Sequence, residues 1–230
     1  MSKNISEFEE ASGIVFADKN LLRQAFTHRS YLNENPGLSL EHNERLEFLG
    51  DAVLELIITD FLYQTYPGKP EGELTSFRAA LVNSIMLSEI ARELDMGEYL
   101  LLSRGESKDI GKARQYILAN TFEAVIGAIF LDQGYESAKT FLEKFLFPKV
   151  NEVDDKKLWI DSKSFFQEKG QEVTGVTPVY KVLGEVGPDH AKRFTVGVFL
   201  NDEKVAEGEG LSKQEAEQDA ARKGLEERGW

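Results

Sequence analysis

Residues 42–51 read HNERLEFLGD, and the helix they open runs on through AVLELI to residue 57. Glu44, Glu47, Asp51 and Glu55 stand at spacings of three, four and four, so on one helix they share a face. Leu46, Leu49, Val53, Leu54 and Ile57 fall largely elsewhere and supply its buried side. An ordinary acidic helix surface mixes in Lys or Arg four residues on, but here Glu47 is followed by Asp51 and Asp51 by Glu55. Like charges so placed cost roughly a few tenths of a kcal/mol each, a cost that a hard divalent ion with oxygen ligands would remove.

A second helical stretch, residues 117–131 (ILANTFEAVIGAIFL), offers Asn120 and Glu123 at i, i+3, with Val125, Ile126, Ile129 and Phe130 available for packing. Glu123 is its only charge, and a lone carboxylate is expensive to bury unless paired or metal-bound. It is therefore expected to face the first stripe. Gly50, Gly127 and Ala128 would let the two helices approach closely and present Glu44, Glu47, Asp51, Asn120 and Glu123 around Mg²⁺. Spacing alone leaves two readings open, a solvated acidic face and a metal-binding face; Glu123 inside an apolar helix favours the second. A ferritin-like di-iron bundle would need Glu-x-x-His pairs, and the residues three before His28, His42 and His190 are Ala25, Ser39 and Gly187.

Outward from these stripes, apolar residues recur at three and four from Glu7 to about Phe147, which predicts an all-helical part of at least five helices. Its breaks are Asn33 to Gly37, Pro67 to Gly72, Ser103 to Gly111 and Asp132 to Gly134, each rich in Gly, Pro, Asn or Asp. Pro148 is expected to end the last helix, and the polar run 151–157 (NEVDDKK) to be a linker. Beyond it a helix from Trp159 to about Gly170 precedes strands at Val179 to Val186, Phe194 to Leu200 and Val205 to Glu209, with a turn at Asn201-Asp202. A final helix opens on a capping box, Ser212 to Glu215, and carries Ala216, Ala220, Ala221 and Leu225 on its inner side. No internal repeat links the two parts.

The chain has 230 residues, 41% hydrophobic and 29% charged, enough apolar content for a buried core rather than disorder. It contains no cysteine, which excludes disulfides, thiolate zinc sites and cysteine nucleophiles. Its longest run without Asp, Glu, Lys or Arg is the ten residues Ala79 to Ser88, against about 20 for a membrane span. MSKNISEFEE shows no basic region followed by an apolar one, so a cytoplasmic protein is expected. Residues 1–157 carry 17 basic and 26 acidic side chains and the rest 10 and 14, so both parts are acidic within a net charge of −13. Composition by itself argues against a nucleic-acid binder, whose affinity draws on phosphate neutralisation.

HNERLEFLGD nevertheless resembles the signature of the ribonuclease III family, as do residues 26–31 (FTHRSY), 71–83 (EGELTSFRAALVN) and 118–132 (LANTFEAVIGAIFLD). The resemblance runs nearly end to end. It implies a homodimeric, Mg²⁺-dependent endonuclease that cuts both strands of double-stranded RNA, leaving 5′-phosphates, 3′-hydroxyls and short 3′ overhangs; Mn²⁺ can substitute. It makes Glu47, Asp51 and Glu123 metal ligands and puts Asn120 in the fourth ligand position, with Glu44 near the cleavage site and Glu71 as an accessory residue. The implied chemistry is water activation and charge stabilisation by the metal, with no protein nucleophile. Bacterial members typically have Asp where this chain has Asn120; an amide oxygen still coordinates, but the site loses one formal charge and should hold metal more weakly. Phe48 is either an anchor between protomers, where aromatics are enriched, or a core residue.

Residues 161–227 resemble a double-stranded RNA-binding domain through GPDHAKRFTV (187–196) and GEGLSKQEAEQDAA (208–221). Such domains read the A-form duplex across two minor grooves. Gln167 and His190 match the minor-groove contact positions, and Lys213 sits where the last helix points its N-terminus at phosphate. Gln214 stands where many relatives have a second Lys, so one phosphate contact is lost, and Lys192, Arg193 and Lys213 form the basic edge. The expected architecture is an all-α ribonuclease III catalytic domain (1–150), a linker (151–157) and a small α+β αβββα domain (158–230). Its expected work is cleavage of double-stranded RNA in rRNA precursor maturation and mRNA turnover, without membrane or small-molecule cofactor. The rival is a non-cleaving double-stranded RNA-binding protein that has kept the dimer scaffold.

Overall fold

The acidic stripe lies on α4 (Glu44–Thr65), which crosses α7 (Lys112–Gln133) with backbone against backbone. A Cβ added at Gly50 would fall 1.8 Å from the carbonyl oxygen of Glu123, and one at Gly127 would fall 2.2 Å from that of Leu46. Only glycine fits at either point. In this computed structural model, which describes residues 4–155, 159, 161–188 and 192–230, the chain divides into two units, Met1–Trp159 and Ile160–Trp230.

The first unit is helical, as its periodicity predicts. Around the α4/α7 pair stand α1 (Ile5–Ser12), α2 (Lys19–Ala25), α3 (Arg29–Glu34), α5 (Glu71–Leu81), α6 (Ser84–Glu93), α8 (Tyr135–Phe145) and α9 (Pro148–Asp155). Leu54, Ile57 and Ile58 of α4 meet Phe122, Val125, Ile126 and Ile129 of α7 in a core that takes in Phe8, Phe16, Phe77 and Ile90. Each such side chain fully buried contributes roughly 1.5–3 kcal/mol. The predicted breaks are helix ends. Pro70 precedes α5, Gly111 precedes α7, and Asp132 at the end of α7 accepts the backbone N–H groups of Ala17 and Asp18, both at 2.8 Å. Among the described residues no helix is long and apolar enough to cross a membrane.

Two boundaries differ from expectation. The helix expected from Trp159 to about Gly170 runs Ser162–Thr174, with Trp159 outside it and in the first unit. The end of the helical part differs as well. Pro148 starts α9 instead of ending a helix, because at a first helical position its missing N–H has no partner to lose. Val150 and Val153 are buried, so residues 151–155 belong to the first unit and are not a linker. The polar residues around them form the outer face of a short helix.

The second unit contains α10 (Ser162–Thr174), an antiparallel sheet of β1 (Val179–Val186), β2 (Arg193–Leu200) and β3 (Glu203–Gly210), and α11 (Lys213–Arg228). Val182 pairs with Val196 and Val196 with Gly208. A Cβ at Gly208 would lie 2.1 Å from the amide nitrogen of Ala220, so this glycine and the small stripe Ala216, Ala220 and Ala221 let α11 rest on the sheet. Phe166, Val198, Leu200 and Leu225 fill the space between. Ser212 accepts the N–H of Glu215 at 3.1 Å, as the capping box requires, while Glu215 accepts from Leu211, one residue earlier than expected. Asp219 ties α11 to β3: it accepts the N–H of Glu209 at 3.0 Å and pairs with Arg222 and Lys223.

Gly50→Ala should destabilise the first unit by at least about 3 kcal/mol, since backbone on both sides blocks relaxation; urea unfolding measures it, and a loss below about 1 kcal/mol would deny the crossing. The bonds from Lys223, Glu209 and Arg222 hold the Asp219 carboxyl down to about 2 against an ordinary value of 3.8. A lowered carboxyl pKa stabilises the fold above the ordinary value and loses that contribution as pH falls toward about 2. Asp219→Asn should therefore cost about 2 kcal/mol at pH 7 and little at pH 2, read from hydrogen exchange of the β2–β3 amides.

Candidate active site

Glu47 and Asp51 flank Gly50 on α4, and Asn120 and Glu123 lie on the stretch of α7 that Gly50 touches. The crossing therefore sets these four side chains against one another. The Asn120 amide donates a hydrogen bond to the Glu47 carboxylate. Glu123, half-buried, is pushed up to about 8, first by burial and then by the charges of Asp51 and Glu47. Glu47 is also raised, by burial first and then by Glu44 and Asp51, with the Asn120 bond opposing. Asp51 and Glu55 are exposed.

Glu44 occupies the first turn of α4, exposed, with Arg29 of α3 at 3.3 Å and His42 Nδ1 at 3.7 Å. Arg29 was not singled out from sequence; its signal was its place in FTHRSY. Glu71 lies on neither α4 nor α7. It opens α5, accepts from the Thr75 hydroxyl at 3.1 Å and lines a groove with Thr59, Tyr63, Lys69 and Arg78.

Among the described residues no three His, Asp or Glu side chains are gathered about one point as the ligands of an ion are. The donor set still fits a hard divalent cation. It is all oxygen, it comes from helices, and burial, reinforced by repulsion from Asp51 and Glu47, raises the Glu123 carboxyl to about 8. Opposite charge at this place would reverse that repulsion.

In the second unit Gln167 projects exposed from α10, next to the buried Phe166. Lys213 is the first residue of α11, exposed, its Nζ 5.8 Å from the centre of the Phe194 ring. Lys192 faces Glu185 at 3.4 Å and Arg193 faces Glu209 at 3.8 Å, so the expected basic edge is interleaved with carboxylates. His190 lies outside the described residues. Phe48 is 81% exposed and so is not a core residue; it borders a cleft of about 620 Å³ with Leu21, Leu46, Leu49 and Leu131.

Residues 18–150 match the family described as ribonuclease-III-like, and residues 162–228 match the double-stranded RNA binding motif. Proteins named Ribonuclease 3 from Enterococcus faecalis and Streptococcus sanguinis are 46% and 45% identical to this chain, over 96% and 94% of it and 95% and 93% of their own lengths. A solved nuclease domain of ribonuclease III from Campylobacter jejuni, whose dimer-forming region shows structural flexibility, is 41% identical with a TM-score of 0.57, covering 63% of this chain and 99% of that one. A helical unit built on the α4/α7 crossing, an αβββα unit after it and identity of this extent through both lead to one conclusion: the chain belongs to the ribonuclease III family and is an endoribonuclease.

Proposed function

We propose that this chain is a cytoplasmic, homodimeric, Mg²⁺-dependent nuclease that hydrolyses both strands of double-stranded RNA to 5′-phosphate and 3′-hydroxyl ends, in rRNA precursor maturation and mRNA turnover. The observation that carries the reading is Glu123, a half-buried carboxyl opposed by Asp51 and Glu47 in an otherwise apolar stretch of helix. A fold keeps so costly a group where a cation offsets its charge.

Glu47, Asp51, Glu123 and Asn120 would hold Mg²⁺, which when bound supplies an activated water and stabilises charge on the phosphoryl oxygens. Asn120 donates through its nitrogen to Glu47, opposing the rise that burial and Glu44 impose on that carboxyl, and leaves its own oxygen as a neutral ligand. Glu123, raised to about 8, would have to be ionised to serve as a ligand. Arg29 pairs with Glu44 in the first turn of α4, while Glu71, on α5, has an accessory role. Gln167, His190 and Lys213 contact the duplex from the second unit. The exposed Phe48, beside a cleft that four leucines line together with charged residues such as Glu41 and Arg45, supports a two-fold interface in which each protomer offers both ring and cleft, so that two centres cut two strands.

Glu123→Gln should abolish Mg²⁺-dependent cleavage of a long duplex while leaving duplex binding intact; cleavage at the wild-type rate would remove Glu123 from the site. The same variant should stabilise the protein in chelator. The wild-type carboxyl loses its proton near 4.5 unfolded and near about 8 folded, so its presence costs more stability as pH rises through that interval. Melts in chelator should show a gain of about 3–4 kcal/mol at pH 7–8, vanishing near pH 4. Asn120→Asp should replace the bond to Glu47 by repulsion, lowering half-saturating Mg²⁺ for cleavage and also lowering the melting temperature in chelator. Half-saturation unchanged or raised would show that Asn120 is not a ligand, and activity arising from none would favour the non-cleaving rival for the natural sequence.

A further inference from the structure

Of Glu44, Glu47, Asp51 and Glu55, the acidic face of α4, Glu44 alone pairs with a permanent cation among the described residues. Its partner is Arg29, whose Nη1 lies 3.3 Å from Glu44 Oε1. The backbones behind the two side chains are tied together. Asn43, next to Glu44, donates its N–H to the carbonyl of Thr27 at 2.9 Å and its Nδ2 to the carbonyl of Ala25 at 3.1 Å. His28, next to Arg29, donates its N–H to the carbonyl of Leu101 at 3.1 Å, and its Nδ1 accepts the N–H of Ser30. Ser30 Oγ accepts in turn from the N–H of Ser103 at 3.1 Å. The start of α3 is thus held beside the first turn of α4. The Arg29 side chain is 64% exposed and, among the described residues, donates no hydrogen bond.

Glu44 lies outside the set Glu47, Asp51, Asn120 and Glu123, about 4.5 Å along the helix axis from Glu47. A divalent cation held by that set offsets its charge but not that of Glu44. With the scissile phosphate at the cation, the next phosphate of the same strand on this side would meet the Glu44 carboxylate and be repelled. An exposed guanidinium beside Glu44 removes that repulsion, and a planar fork that spends one arm on a carboxylate keeps further donors for phosphate oxygens. At the other end of the stripe no cation pairs with Asp51 or Glu55 among the described residues, so the two ends differ. We propose that Arg29 is a phosphate-binding residue for the strand being cut: it takes the phosphodiester that neighbours the scissile one on the Glu44 side, and Glu44 orients its guanidinium. This rests on the reading that Glu47, Asp51 and Glu123 hold the cation at which the duplex is hydrolysed.

A structural ion pair and a phosphate contact differ in what they owe to the charge of the substrate. Full-length wild type, Arg29→Gln and Arg29→Lys are compared in Mg²⁺-dependent cleavage of a duplex of defined sequence. The same duplex is then made with one neutral methylphosphonate at a time in place of each phosphate flanking the scissile bond. Arg29→Gln should raise KM about tenfold with kcat within about threefold, and reduce the slope of log KM against log salt by about one. At one flanking position the methylphosphonate should cost the wild type a similar factor and Arg29→Gln less than about twofold, the coupling expected of groups in contact. Arg29→Lys keeps the charge without the fork and should recover most of the loss. Equal methylphosphonate penalties in wild type and Arg29→Gln at every position overturn the proposal, as does a KM and salt slope unchanged by the substitution or a fall in kcat alone. If Arg29→Gln does not fold, Arg29→Met, which keeps most of the aliphatic stem, is read by the same criteria. A wild-type chain that leaves the duplex uncut defeats the functional reading alone, because binding affinities for the same duplex series then test the phosphate contact.

Discussion

Backbone contact between α4 and α7 at Gly50 and Gly127 is the constraint on which the first unit's chemistry depends. Helices that meet through ordinary side chains keep their axes about 8–10 Å apart. Here a carbonyl of α7 sits where a Cβ of α4 would be, and the acidic face of one helix is pressed toward Glu123 of the other. Partial burial lowers the effective dielectric, so carboxylates that would ignore each other in water interact strongly. The same contact that packs Leu54 and Ile57 against Val125 and Ile126 also makes the site.

The second unit uses a related device for a different end. Gly208 and the alanine stripe of α11 bring helix and sheet together with little bulk between them, and Asp219 binds the two across that junction. Its cations are not segregated, since Lys192 and Arg193 lie beside Glu185 and Glu209. Exposed pairs of this kind contribute only about 0–1 kcal/mol, so they leave the cations available to phosphate. An acidic domain can in this way retain an edge that meets an anion, although its net charge argues against one.

Most elements were legible because their periods are distinct. The three-and-four spacing of the first part and the alternation around β2 survive into the structure with boundaries close to those expected. The failures are specific. Proline can stop a helix or start one, and at Pro148 sequence offered no way to choose; two buried valines, Val150 and Val153, decide that the polar run is a helix face. Arg29 stands in a motif, but its pairing with Glu44 is not legible there, because α3 and α4 are joined by a loop whose path no periodicity describes.

From sequence alone came the two-part organisation, the helix carrying Glu44, Glu47 and Asp51, and the isolation of Glu123 in an apolar stretch. These are properties of single segments, determined by the geometry of a helix and the cost of burying charge. Tertiary structure decided which side chains share an environment: Asn120 bonded to Glu47, Glu123 facing Asp51, Glu71 bonded to Thr75, Phe48 exposed, and Trp159 fastened to Lys69 and Asp154. Such pairings depend on where separate segments cross. The crossing in turn depends on which backbone atoms can approach, a quantity set by packing between residues some 70 positions apart and by no local pattern along the chain.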